Sequence, residues 1–331
     1  MSELRINNIT DRAGSSGPII AGVSTVTSTS HMVMPSGPTE MRGGRGRAIV
    51  FVGATPSNTT LIDAFDTTTA GNAFDFGDAS AARYNNGFGG CASATRGVIA
   101  DGTAMEYVIF SSSGGANDFG DHRVVSGSGA AIGHAADGVR GLLAGGYNAP
   151  ANLNTIDFIT IATTGKSSEY AEFDDGSTGG YSPMASPTRA VFARGGQNLN
   201  FINFTSGGKT QIFGDMRGDS RTGHIASCSS STRGIMAGGE APSRVNTITF
   251  ITLATLGNGT DFGDLLAGRN DHDAVSSSTR GFIVAGANPS KTNSIEFVTI
   301  ASTGNGQEFG DLTQARSQPS SCSDVHGGLG D

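Results

Sequence analysis

Two short stretches imitate the end of a phosphate-binding loop: Gly165-Lys166-Ser167 and Gly208-Lys209-Thr210. Such a loop cradles phosphate oxygens with backbone N–H groups, and it needs another Gly five residues upstream and a helix downstream. Thr160 and Asn203 stand at the upstream places, inside segments that read as strands, so both stretches are predicted to be turns. Asp-Phe-Gly at 75, 118 and 261 imitates the magnesium-binding triplet of kinases. A kinase uses that triplet once, beside a phosphate loop, a strand Lys and a catalytic Asp, and none of these accompanies it. Its recurrence predicts a turn instead, with Phe as filler, Gly for positive φ and Asp accepting backbone N–H groups. Asp174-Asp175 would suit glycoside hydrolysis if the pair faced a pocket, and nothing in the sequence puts it in one. The segment 127–133 misses the dinucleotide glycine spacing by one residue. Cys91, Cys228 and Cys322 are too widely spaced for a disulfide framework or zinc pairs, and the six His are scattered. No metal and no cofactor is expected.

The elements that carry these residues repeat. Residues 246–264 match 293–311 at an offset of 47. A Phe-(Gly/Asp)-Asp marker falls at Phe76, Phe119, Phe173, Phe213, Phe262 and Phe309, with spacings of 43, 54, 40, 49 and 47. An Arg-(Gly/Ala)-apolar marker recurs in phase at Arg47, Arg96, Arg140, Arg189, Arg233 and Arg280. Two independent markers therefore count six repeats. Each reads as four short strands: a Ser/Thr-rich one, one after the Arg-Gly turn, a β-branched run such as 247–253, and one around Phe-Gly-Asp. A period near 50 with Gly-Gly ending a strand is the kelch pattern of a β-propeller, one blade per repeat.

Registering the repeats turns many tempting residues into architecture. The three Cys share a slot five residues before the marker Arg, or before Gly327, with Ala135, Met184 and Val275, so they are placed as inner-strand packing. Arg83, Arg269 and Arg316 sit five residues after Asp78, Asp264 and Asp311, which predicts a repeated Asp–Arg contact within or between blades. The marker Arg residues could ring an anion site, but their guanidinium forks are expected to bond carbonyls of the neighbouring blade.

The ends predict closure. After Phe309 the chain supplies only one further first strand, at 320–323, whereas the first repeat begins at residue 45 with a second strand. A C-terminal strand should complete the first blade and leave no long unpaired edge. The chain is thus expected to be all-β: a six-bladed kelch-like β-propeller over 45–331, closed by a C-terminal strand, with an extended N-terminal arm over 1–44. The arm has short apolar pieces that bury little alone, so Ile6, Asn7, Asn8, Ile9, Ile19 and Ile20 are expected to order on a partner.

Composition bounds the rest. Gly makes up 51 of 331 residues, about twice the usual share of roughly 7%, and the repeat places it at turns and strand ends. The net charge of −8 and the three Lys (Lys166, Lys209, Lys291) leave no basic patch for nucleic acid. No run reaches the 18 or so apolar residues of a membrane helix, and residues 1–5 lack a signal-peptide core. The repeats vary most in the loop after the Gly-Gly strand, at 55–59, 147–154, 197–200, 240–245 and 288–292. Strand alternation brings these loops to one end of the ring, a usual place for recognition. The candidate ligand-binding residues are Tyr147, Asn148, Asn198, Arg244 and Asn288.

The arm phrases Asn7-Asn8-Ile9-Thr10-Asp11, Ser16-Gly17-Pro18 and Pro35-Ser36-Gly37 resemble virion structural and tail-fibre-like proteins of tailed bacteriophages, marine cyanophages in particular. The Thr-Arg-Gly and Asp-Phe-Gly-Asp-Leu repeats are similar to repeats in the same group. The resemblance implies a non-enzymatic virion protein of the tail or baseplate. It would be joined to other virion proteins through its arm, present in several symmetric copies, made in the host cytoplasm and resident in the particle. A host-receptor or glycan-binding module is the alternative, and a glycan-degrading enzyme a remote one.

Overall fold

The computed structural model describes residues 46–83, 89–123, 132–148, 150–174, 181–194, 198–216, 221 and 225–330. The expected arm at 1–44, with its six named residues, lies outside them.

Six sheets on a common antiparallel four-stranded plan form a closed β-propeller, the third extended by the short parallel strand Gly208–Lys209 and the sixth by the short strand Ala287–Asn288. The fifth blade shows the plan: innermost Ala226–Ser229, then Arg233–Ala237, Thr247–Thr252 and outermost Thr260–Asp264. The first blade is composite. Its innermost strand, Ser320–Ser323, pairs with Arg47–Phe51, which is followed outward by Thr59–Asp66 and Phe74–Arg83. Ala48 faces Ser323 and Phe51 faces Ser320 across that junction, so the C-terminal strand closes the ring.

Blades hold together through their faces. Six hydrophobic clusters form, one at each blade–blade seam. The seam between the fifth and sixth blades buries Ile235, Ile248, Phe262, Leu265, Ile283, Val298 and Ile300. Each such side chain contributes roughly 1.5–3 kcal/mol. Modest apolar content suffices because every blade buries two faces against neighbours.

The innermost strands are small and hydroxylated because they converge on the axis. Their hydroxyls link consecutive blades: Ser227 Oγ donates to the Pro183 carbonyl (2.7 Å), Ser229 to Ala185 (2.8 Å) and Ser276 to Ser229 (2.7 Å).

Asp-Phe-Gly is part of the outermost strand rather than a turn. The Phe is buried between blades, and the Gly lies in a bulge at positive φ, such as Gly263 at 150°. The loop between the third and fourth strands of the next blade caps this strand: Gly304 N donates to the Phe262 carbonyl and Gly306 N to that of Asp264, both at 2.8 Å. Gly165-Lys166-Ser167 is one such capping loop, with Gly165 N bonded to the Phe119 carbonyl (2.7 Å). Gly208–Lys209 pairs in parallel with the outermost strand of the third blade.

In the third blade the marker residue is Tyr170, not Phe173. Ala171 opposes Ile156 as Gly263 opposes Ile248. Tyr170 packs edge-on against Phe158 at 5.7 Å, as Phe262 does against Phe250 at 6.0 Å. The irregular spacings of 54 and 40 thereby become 51 and 43. Phe173 instead stacks on Tyr181 at 4.0 Å.

Candidate functional site

The repeated Arg residues are engaged between blades. Each marker Arg donates Nη1 to a carbonyl just beyond the third strand of the following blade. Arg96 reaches Ile161, Arg189 Leu253, Arg233 Ile300 and Arg280 Thr68, at 2.9–3.1 Å, and Arg47 and Arg140 reach Phe110 and Phe204. The guanidinium also lies over the aromatic ring of its own third strand, at 4.2–5.0 Å for Arg96–Tyr107, Arg189–Phe201, Arg233–Phe250 and Arg280–Phe297. Planarity and five donors make Arg fit both contacts, where Lys would make neither well.

A second Arg series corrects the expected Asp–Arg pairing. Arg83, Arg269 and Arg316 bridge blades as anticipated, but their partners are acids buried in the next blade's third strand. Arg83 pairs with Glu106 (2.6 Å), Arg269 with Glu296, and Arg316 with Asp63 (3.1 Å). Arg123 adds a fourth pair with Asp157 at 2.8 Å. At the same slot the fourth and fifth blades carry Asn200 and Thr249, and Arg221 Nη2 donates to Thr249 Oγ1 at 2.7 Å. Burial lowers the Arg269 pKa to about 10, which still leaves it charged at neutral pH beside Glu296.

The three thiols are buried packing groups. A Cβ on Gly141 would lie 2.5 Å from Cys91 Sγ, one on Gly97 2.6 Å from Cys322 Sγ, and one on Gly281 2.7 Å from Cys228 Sγ. The Arg-Gly glycines are therefore seats for the preceding blade's inner strand. The marker reads Arg-Ala at Ala48 and Ala190; Ala190 shares its cluster with the small Ala135 of the preceding blade, and Ala48 shares its cluster with Val275. Burial pushes the Cys228 thiol up to about 12 and raises those of Cys91 and Cys322 as well, far from the thiolate form a nucleophile needs. Among the described residues no group of three or more His, Cys, Asp or Glu could hold a metal ion. Asp174 is exposed and pairs with Lys209 (3.1 Å), and Asp175 lies outside the described residues.

The loop end is built on left-handed residue pairs that close the second strands. Gly238 and Gly239 have φ of 59° and 101°, and Ala285 and Gly286 have 59° and 100°. The turn aims the second N–H at the carbonyl of the buried Arg: Gly239 N bonds Arg269, and Gly286 N bonds Arg316, both at 3.0 Å.

From there the loops of the fifth, sixth and first blades are knitted into one arc. Arg244 Nε donates to Asn270 Oδ1 (2.8 Å), and the Asn270 amide donates to Glu240. Asn270 bridges Ala287, Ala54 bridges Ser317, and Lys291 Nζ donates to the Thr55 carbonyl. Arg244 and Asn288 belong to this arc. Asn198, opposite Asp215, stands on the fourth blade, and Tyr147–Asn148 pairs with Ala151–Asn152 on the third. The arc offers amide, hydroxyl and guanidinium groups suited to a polar ligand. Glu240 and Asn270 were not among the sequence candidates, because their pairing crosses from one blade's loop to the next connection.

Asp273 lies beside the axial cavity. Both its carboxylate oxygens accept from Gly89 N (3.1 Å), and Oδ2 also accepts from Ser321 Oγ (2.6 Å). Burial outweighs these bonds and raises its pKa from 3.8 to about 7. The folded state thus holds a proton that the unfolded chain has released, so this group's contribution to stability falls as pH rises from about 4 to about 7. Asp273→Asn should flatten that slope and be more stable than the parent above pH 7, by up to about 4 kcal/mol. Denaturant midpoints of both proteins at acid and alkaline pH check this, and parallel pH profiles would refute it.

Among the described residues no helix is long and apolar enough to cross a membrane. No protein-family model matches the chain, and no curated protein matches it.

Proposed function

We propose that the chain is a non-enzymatic structural component of a tailed-phage particle, a kelch-like propeller held in the tail or baseplate by residues 1–44. The observation that supports the non-enzymatic part is the engagement of the repeated Arg residues in blade seams, where they hold the ring. The attachment part rests on an arm outside the repeat whose phrases resemble those of phage virion proteins. Deleting residues 1–44 should leave a folded propeller, by circular dichroism and thermal melting, that is lost from purified particles. Undiminished incorporation would overturn the reading.

A second reading, a glycan or receptor module, is favoured by the knitted arc of Arg244, Asn270 and Glu240 on the loop end. It requires the isolated propeller to bind host-surface glycans or cells, and Arg244→Ala to weaken that binding.

A further inference from the structure

The C-terminal segment after the closing strand is folded across one end of the ring. Residues 327–329 form a single 3₁₀ turn capped by His326. Gly327 and Gly328 are pressed so closely onto neighbouring blades that an added Cβ would lie 2.4 Å from the Ser230 carbonyl and 1.8 Å from that of Ala136. Beneath the segment runs an axial cavity of about 50 Å³, lined by Ser227, Ser229, Ser276, Ser321, Ser323 and His326, with room for a few waters.

We propose that this segment is a proton-operated plug of the axial cavity, undocked when His326 is protonated at Nδ1. Both ring nitrogens are committed. Nε2 lies 2.8 Å from the Ala92 carbonyl and must carry its hydrogen. Nδ1 lies 3.1 Å from Gly328 N–H and must therefore be the acceptor. Only the neutral Nε2–H tautomer makes both bonds. A proton taken from solvent at Nδ1 sets two donors against each other, removes the cap and places a cation among inner strands.

The ionisable groups on the elements packed around the ring are Asp137, in the turn of the third blade, together with Cys91, His134, Cys228, Asp273 and Cys322 on the inner strands. Asp324, on the segment itself, is held by Arg47 N (2.8 Å). Burial lowers the His326 pKa, against the opposing pull of the Ala92 carbonyl and Asp137. A lowered folded pKa means docking is fully stable above the ordinary imidazole value and is lost as pH falls below that value through the lowered folded one. Because the segment follows the closing strand and is held by a single short turn, it can detach without opening the six-bladed ring.

The test is amide exchange at Gly328 and Leu329 in the full chain, corrected for intrinsic rates. Between about pH 7.5 and about pH 5, protection should fall roughly tenfold or more. Gln at this position keeps a donor and an acceptor but takes no proton, so His326→Gln should hold the same protection at both pH values. A wild-type protection that changes less than about twofold, or an equal fall in His326→Gln, would overturn the proposal. If the Gln segment does not dock at all, ¹⁵N titration of His326 in the wild type decides. Its inflection must coincide with the loss of protection, and separate transitions would overturn the idea.

Discussion

Asp63→Ala should destabilise the protein by about 3–5 kcal/mol, the usual cost of stripping the partner from a buried charge. Asp63 and Arg316 are both fully buried, and Asp63 also accepts from Thr313 N (3.0 Å) and Thr313 Oγ1 (2.7 Å). Removing the carboxylate leaves a guanidinium that burial already pushes toward its neutral form, at the seam where the last blade meets the composite first one. Guanidinium chloride unfolding should show the loss as a lower midpoint. Asp63→Leu combined with Arg316→Met should recover most of it, since an apolar pair of similar volume replaces a buried ion pair at little cost. A single variant within about 1 kcal/mol of the parent would mean that the pair does not secure this seam. The exposed Lys209–Asp174 pair is a built-in contrast. It is the same chemistry in water, and its removal should cost about 0.5 kcal/mol or less.

Gly263→Ala should cost about as much by a different route. Gly263 has φ of 150°, a region in which a side chain is strained by about 1–3 kcal/mol. The new Cβ would also stand 2.4 Å from the Gly304 carbonyl oxygen. Relief requires moving the capping loop, which would loosen the bonds from Gly304 N and Gly306 N and the one from Asp264 N to Asn305 Oδ1 (3.0 Å). We expect a loss of about 3 kcal/mol or more, visible in thermal melting. Gly304→Ala is the control, because a Cβ there meets nothing within 4 Å. Equal melting temperatures for Gly263→Ala and the parent would remove the steric argument.

The ring was legible because its markers are periodic: an Arg every blade and a Phe-Gly-Asp element in five blades of the six advertise a unit, and 320–323 matched only the strand the first unit lacked. Partner identity was less legible. Arg269 has Asp264 five residues away in sequence, yet it meets Glu296 across a seam, because successive outer-strand residues point to opposite faces and the chain curves into the next blade. Phe173 misled for a similar reason, since Tyr170 is an equally good filler and only strand register separates the two. Of the loop candidates, Arg244 acquires a defined setting through Asn270, a contact between segments that no local pattern signals. The C-terminal plug had no repeat to announce it, being a single copy by nature.

The composite first blade has a consequence for the nascent chain. Arg47 and Asp324, joined by a hydrogen bond in the ring, are 277 positions apart. The inner edge of Arg47–Phe51 thus stays without its partner until about 270 further residues have been made. At ribosomal speeds of about 5–20 residues per second, that wait is roughly 15 to 55 seconds. Blades can form one after another as they emerge, but the bonds that make the assembly a circle come last, from contacts of very long sequence separation. Assembly therefore proceeds as an open arc with one exposed strand edge, and a truncation just before residue 320 would leave every copy in that adhesive state.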